Sequence, residues 1–231
     1  MTPPIHKPAK AGSGAKETGK REERRSERQA QILATASEFF FDNGYAGTTM
    51  SAVAAKLGGS KATLWNYYGC KEELFSACME QKTRIFRNEV LQILDPAAPL
   101  RPAVEQFCTR FIAKLRENES LALYRLLCGE AARAPEASRI FYERGPAVIE
   151  AMLTAFFSGH IVAGRLKDKP AGQMARLLFS LCTGYAYQRA LLGIEPIDDR
   201  VAAEHAAFVI ESFFDLYGVD APPARPAPGL V

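Results

Sequence analysis

Between residues 49 and 71 the chain carries side chains suited to reading nucleic acid: Thr49, Ser60, Lys61, Thr63, Trp65, Asn66, Tyr67 and Lys71. Lysine neutralises a phosphate, hydroxyls and asparagine exchange hydrogen bonds with phosphates or base edges, and the aromatics reach the backbone or a thymine methyl group. Such side chains act together only on a rigid support. Ala54, Gly58 and Leu64 describe one: a small residue where two helices approach, a residue free to adopt positive φ at the turn, and an apolar residue locking the second helix onto the first. Val53 and Leu57 extend the apolar inner face, and Tyr68 closes the core beyond Leu64. Thr48-Thr49 caps a helix running through Leu57, Gly58-Gly59 breaks it, and Ser60 caps a second helix to about Tyr68. On that reading Lys61, Ala62, Thr63, Trp65, Asn66 and Tyr67 face outward. An outward Trp and Tyr beside Lys, Thr and Asn is a costly surface for a helix with no partner, and it suits one lying in a DNA major groove. The spacing alone is met as well by a helical hairpin whose aromatics pack internally.

Nothing comparable marks catalysis. No G-x-S-x-G, H-E-x-x-H or helix-borne E-x-x-H pair is present. His6, His160 and His205 belong to separate elements without ligand-spaced neighbours, so the latter two are expected as core or partly exposed side chains. Residues 14–20 satisfy G-x-x-x-x-G-K, but Arg21 stands where a Ser or Thr would hold Mg²⁺ and no strand precedes the loop. Cys70, Cys78, Cys108, Cys128 and Cys182 form an odd set without a C-x-x-C pair, which fits reduced thiols and neither a disulfide framework nor a zinc site. No cofactor or metal is expected. No uncharged stretch approaches the ~20 residues needed to cross a bilayer, so a cytoplasmic protein without a membrane partner is expected.

The elements that must hold the short pair are helical throughout. With 48% hydrophobic and 24% charged residues, the 231-residue chain has ordinary globular composition. Its net charge of +3 belongs to the first third, where residues 1–75 carry 11 Lys/Arg against 8 Asp/Glu. Residues 1–28 carry 8 basic against 4 acidic side chains and no aromatic, which reads as a disordered basic arm over residues 1–25, a bystander or an attractor of polyanions. Three- and four-residue spacing of apolar positions predicts a first helix from Glu27 to Gly44 and a fourth from Lys71 to about Leu94. Further helices follow at Leu100 to Asn118, Ser120 to Ala134, Pro135 to Ala163 with a kink or break at Gly145-Pro146, Pro170 to Leu192, and Asp198 to Tyr217. The class is all-α with about nine helices, and a Pro-rich tail spans residues 219–231.

Taken together, Gly44-Tyr45-Ala46-Gly47-Thr48-Thr49, Val53-Ala54, the run from Gly58 to Tyr68 and Lys71-Glu72-Glu73-Leu74-Phe75 resemble the N-terminal domain of the TetR family of transcriptional repressors. Leu123-Tyr124-Arg125-Leu126, Glu130 to Pro135 and Phe141 to Pro146 resemble the body of its AefR-like subgroup. Three positions depart from the pattern: Gly59 for an apolar residue, Trp65 for a Tyr, and Cys70 for a better helix cap. The resemblance implies a DNA-binding head over residues 26–86 and a body over 87–218 that dimerises through its last two helices and encloses an effector pocket. The implied protein is a homodimeric repressor released from a palindromic double-stranded operator by a small hydrophobic or aromatic molecule. Inward-reading faces nominate Phe107, Cys108, Phe111, Tyr124, Cys128, Met152, Phe156 and Tyr185 for that pocket, although for each taken singly plain core packing is the first reading. The apolar stripes of the last two helices nominate Met174, Leu177, Leu181, Phe208, Val209 and Phe213 for the dimer interface.

Overall fold

A computed structural model describes residues 14–58 and 61–219 of the chain. The described residues form eleven helices: α1 (Gly14–Gly47), α2 (Met50–Lys56), α3 (Lys61–Tyr67), α4 (Lys71–Ile93), α5 (Leu100–Leu115), α6 (Asn118–Glu130), α7 (Pro135–Arg144), α8 (Pro146–Val162), α9 (Ala171–Cys182), α10 (Tyr185–Leu191) and α11 (Asp199–Tyr217). The only extended pairing among them is an isolated antiparallel bridge between Leu166 and Gly218.

Two breaks account for the excess over nine. Gly145 leaves the helical region (φ −123°, ψ −89°) and Pro146, which has no N–H to give, opens α8 at its first position. Gly184 (φ −75°, ψ −146°) divides α9 from α10, and a Cβ there would sit 3.0 Å from the Leu181 carbonyl oxygen, so the close approach needs glycine. The third difference lies at the start. The arm expected to be disordered over residues 1–25 is helical from Gly14 onward, and residues 1–13 lie outside the described residues. Composition poor in large apolar residues argues against a core but not against a helix: Lys, Arg, Glu, Gln and Ala dominate residues 20–31 and are strong helix formers. The long helical run of α1 breaks at Gly44 (φ 73°), where glycine punctuation places its end, and resumes after that kink only as far as Gly47.

The chain divides into two compact units between Cys78 and Met79, inside the continuous α4 and not at a linker. In the first unit Ile32, Leu33, Ala36 and Phe40 of α1 are buried with Val53, Ala54, Leu64, Leu74 and Phe75. Phe75 meets the Phe40 and Tyr45 rings edge-on, both at 4.9 Å between centroids. Each such side chain contributes about 1.5–3 kcal/mol through burial.

In the second unit α5, α8, α9 and α11 surround a core that includes Phe107, Ile112, Leu153, Phe157, Leu178 and Phe213. The 28-residue stretch Pro135–Val162 is long and apolar enough to cross a membrane, but Gly145 breaks it and Leu153, Phe156 and Phe157 belong to this core. Arg125, in one of the stretches that resemble the AefR-like body, donates to the carbonyls of Leu191 (2.7 Å) and Ala190 (2.5 Å) and thereby caps α10.

Candidate nucleic-acid interface

The loop before α2 is built from threonines. Thr48 is buried and its hydroxyl lies 2.7 Å from the Gly44 carbonyl oxygen, to which it donates, so it closes off the end of α1. Thr49, in extended conformation, is the N-cap of α2 and its Oγ1 accepts from the Ala52 N–H at 3.2 Å. The Thr49 hydroxyl hydrogen remains available to an acceptor outside the helix. Gly58 then turns the chain with φ 63°, in the region expected of it. Gly59 and Ser60 lie outside the described residues, as does the side chain of Lys61.

In α3, Leu64 is buried, as is Tyr68 just beyond the helix, whereas Ala62, Trp65 and Asn66 are exposed and Thr63 is half-buried. Trp65, 40% exposed, is not packed inside the pair, so the hairpin with internal aromatics does not form. Tyr67 differs from expectation. It is half-buried against α1, with its hydroxyl donating a long bond (3.5 Å) to the Arg25 carbonyl and the Arg25 guanidinium 6.0 Å from its ring centroid. Its neighbour Tyr68 accepts from Gln29 Nε2 at 3.1 Å, and burial pushes its phenol above the ordinary value.

Lys71 occupies the first turn of α4, where a cation opposes the helix dipole. Its ammonium donates to the Tyr45 carbonyl at 3.1 Å and lies 4.2 Å from the centroid of the Tyr45 ring. Tyr45 is therefore a local partner that accounts for the residue without a phosphate. Cys70 does cap α4: its Sγ accepts from Glu73 N–H at 3.5 Å, while Glu73 Oε2 accepts from Gly69 N–H at 2.8 Å. The pair resembles a capping box with sulfur at the cap, except that Glu73 reaches the N–H of Gly69, one residue before it.

The body residues nominated for an effector divide. Phe107, Cys108, Phe111 and Phe156 are buried and Met152 packs against them in the same core. Phe111 is its centre, with ring centroids of Phe179, Phe107 and Phe86 at 4.9, 5.4 and 5.8 Å. Tyr124, Cys128 and Tyr185 are exposed and do not join it. The helical period assigned them to inward faces, but the break at Gly184 rotates Tyr185 outward. Cys108 and Cys182 adjoin in the core; their mutual hydrogen bond and complete burial push the Cys182 thiol well above its usual range, which keeps it protonated and unreactive. His160 is buried at 1% exposure against the Phe156 ring (4.4 Å), and neither ring nitrogen has a partner among the described residues. The sequence reads it as a core or partly exposed histidine and gives no sign that it would be unpaired.

Of the nominated interface residues, Met174, Val209 and Phe213 lie wholly inside the protomer's own core, because α8 and α5 already cover that side of α9 and α11. Leu177 and Leu181 are half-buried, and Phe208 is 62% exposed.

A small three-helix unit with a two-helix turn, together with an all-α body, is the architecture of helix-turn-helix transcriptional regulators. Residues 32–78 match the profile of bacterial regulatory proteins of the tetR family, and residues 102–219, more than half of the chain, match that of the AefR-like transcriptional repressor C-terminal domain. The chain belongs to the TetR family of transcriptional regulators. It is 37% identical over 87 residues to the transcriptional activator FasR of Mycolicibacterium smegmatis, a match covering 36% of this chain and 40% of FasR, less than two thirds of that relative's length. A TetR-family regulator of Mesorhizobium loti superposes with a TM-score of 0.70 at 27% identity, covering 85% of this chain and 99% of that one. The flavonoid-responsive regulator FrrA superposes with a TM-score of 0.74 over 85% of this chain and all of its own; at 23% identity that likeness concerns the fold alone.

Proposed function

We propose that the protein is a homodimeric, cytoplasmic transcriptional repressor whose α2–α3 pair reads a palindromic operator in double-stranded DNA and whose body, on taking up a hydrophobic or aromatic small molecule, releases it. The observation that carries the reading is α3 itself: Leu64 is locked into the core while Trp65 and Asn66 stand exposed. Ala62, Thr63, Trp65 and Asn66 form the reading edge, to which the sequence adds Ser60 and Lys61; Thr49 and Lys71 flank it, and Tyr67 supports it from the side of α1. The repressor sense rests on the AefR-like repressor profile over the body; FasR, an activator, matches a smaller part of the chain and favours the opposite sense.

The aromatic core around Phe111, with the partly buried Phe86 and Phe179 at its edge, supports an apolar effector held by stacking. FrrA, of the same fold, is named for its response to flavonoids. Dimerisation is supported by large apolar side chains left open on the last helices, among them Phe208, Leu216 and Leu192. Regulation requires that the effector bind better to the arrangement that misplaces the heads than to the one that fits DNA.

The test is selection of duplexes from a randomised library by the full-length protein, followed by binding measurements. A palindromic consensus is expected with half-sites about 34–36 Å apart. Asn66→Ala should cost about 1–3 kcal/mol on the selected site and nothing on random DNA. Failure to enrich any sequence refutes the reading; enrichment with transcription raised by bound protein favours the activator.

A further inference from the structure

Residues 20–31 of α1, before its first core residue Ile32, are exposed apart from the half-buried Arg28 and bury no apolar face. A helix of that kind is marginal by itself, so the arrangement of its charges matters. At about 100° per residue, Lys20, Arg21, Arg24, Arg25 and Arg28 fall within an arc of about 140°, and Glu22, Glu23 and Glu27 fall within the opposite arc of similar width. A helix stabilised by its own ion pairs mixes the two signs on one face; here they are separated. Among the described residues none of the five cations belongs to an ion pair. Arg28 donates once, to Gln31 Oε1 at 2.6 Å.

The cationic face also has a definite neighbour. Its Arg25 edge adjoins Tyr67 of α3, and Gln29 one turn further on bonds Tyr68, so the stripe continues into the end of the helix whose Trp65 and Asn66 are exposed. We infer that the cationic face of residues 20–28 is a second DNA-contacting surface, which grips backbone phosphates flanking the bases read by α3. The inference rests on the proposed reading of α2–α3 as a DNA-binding pair. Residues 20–28 span about 12 Å at ~1.5 Å per residue, enough to face three or four phosphates of one strand at ~3.4 Å of axis each. A polyanion fits a face with five cations and no apolar anchor; a protein partner would ask for a buried aromatic or aliphatic centre.

The experiment compares the full-length protein with Lys20→Gln/Arg21→Gln/Arg24→Gln, which leaves Arg25 and Arg28 with their neighbours. The probes are the duplex enriched from the randomised library and a 40-base-pair duplex of arbitrary sequence, titrated across salt concentrations. Each lost phosphate contact lowers the slope of log K against log salt by about 0.9, so the triple variant should lose roughly 2–3 units on both probes while its base preference stays the same. The single changes Arg21→Gln and Arg24→Gln should each remove about one unit, and Arg21→Lys/Arg24→Lys should restore the slope. An unchanged slope for the glutamine variants, with selection of the operator intact, overturns the inference and leaves the reading of α2–α3 standing. If Glu22→Gln/Glu23→Gln/Glu27→Gln moves the slope as far in the other direction, net charge and not a contacting face is responsible, and the inference is again overturned. If the unmodified protein enriches no sequence, the head reading itself has failed.

Discussion

Lys71→Met separates a structural cation from a phosphate anchor. The substitution keeps the alkyl stem and the helix propensity of α4 but removes the ammonium. That ammonium makes a charged hydrogen bond to the Tyr45 carbonyl (3.1 Å) and lies 4.2 Å from the Tyr45 ring centroid. A hydrogen bond from a charged group is worth about 1.5–3 kcal/mol and a partly exposed cation–π contact about 0.5–1 kcal/mol. Against them stands about 0.3–1 kcal/mol for a cation at a helix N-terminus. The balance is a loss of roughly 2 kcal/mol from the first unit on substitution. In a unit of this size each kcal/mol moves the midpoint by about 4–8 °C, so a fall of roughly 8–16 °C is expected. The protein has one tryptophan, Trp65, and it lies in α3, so its fluorescence follows the melting of this unit and not of the other. The reasoning is refuted if Lys71→Met melts with the unmodified protein while the salt slope of DNA binding drops by a full unit. That result would make Lys71 a phosphate ligand with no local duty.

The remaining predictions address the turn, the core and the assembly. Gly58→Ala places a side chain in open space, since a Cβ there meets nothing within 4 Å, but at φ +63°; a backbone penalty of about 1–2 kcal/mol should appear as a lower midpoint in the Trp65 melt. His160→Leu should stabilise the protein by about 1 kcal/mol, because it removes two buried ring nitrogens that lack partners among the described residues; destabilisation by chemical denaturation would show that the ring is bonded after all. Burial, and secondarily Arg165, holds the His160 pKa below the ordinary histidine value. Below about pH 6.5 the unfolded chain therefore takes up a proton that the folded ring refuses, so stability is full above that pH and falls toward pH 5 until the folded ring titrates. His160→Leu should flatten this part of the stability profile. Finally, Phe208→Glu/Leu216→Glu alters side chains that are 62% and 54% exposed, so it should give folded monomers by sedimentation that have lost operator affinity; a dimer that persists unchanged places the interface elsewhere.

What was legible in the sequence was whatever a local rule governs. Gly44, Gly58 and the Thr48-Thr49 cap behave as their types dictate, and Val53, Ala54 and Leu64 are buried as their spacing required. What was not legible depended on contacts across the chain. The register of Lys71 reads as an exposed first turn, and only the return of Tyr45 beside it turns an electrostatic oddity into a tie. The apolar stripe of α11 shows that Val209 and Phe213 are buried and Phe208 is not only once α5 and α8 cover one side. Amphipathic period gives one face per helix, and a helix between a core and an interface needs two. The arm differs for another reason: low hydrophobicity excludes a core of its own, but helix propensity needs no core.

The proposed effector response places its demand on α4, and the packing indicates how small that demand is. One end of this helix is buried through Leu74 and Phe75 in the first unit; the other is buried through Val90 and Ile93 in the second, where Phe86 stacks on Phe111 at 5.8 Å. A tenfold loss of operator affinity needs only about 1.4 kcal/mol of difference between the two arrangements. Complete burial of one such side chain is worth about 1.5–3 kcal/mol, so a ligand ring that alters how Phe86 and Phe111 stack need shift only a fraction of one contact. Close-packed aromatic rings accommodate a guest by changing place and not by compressing.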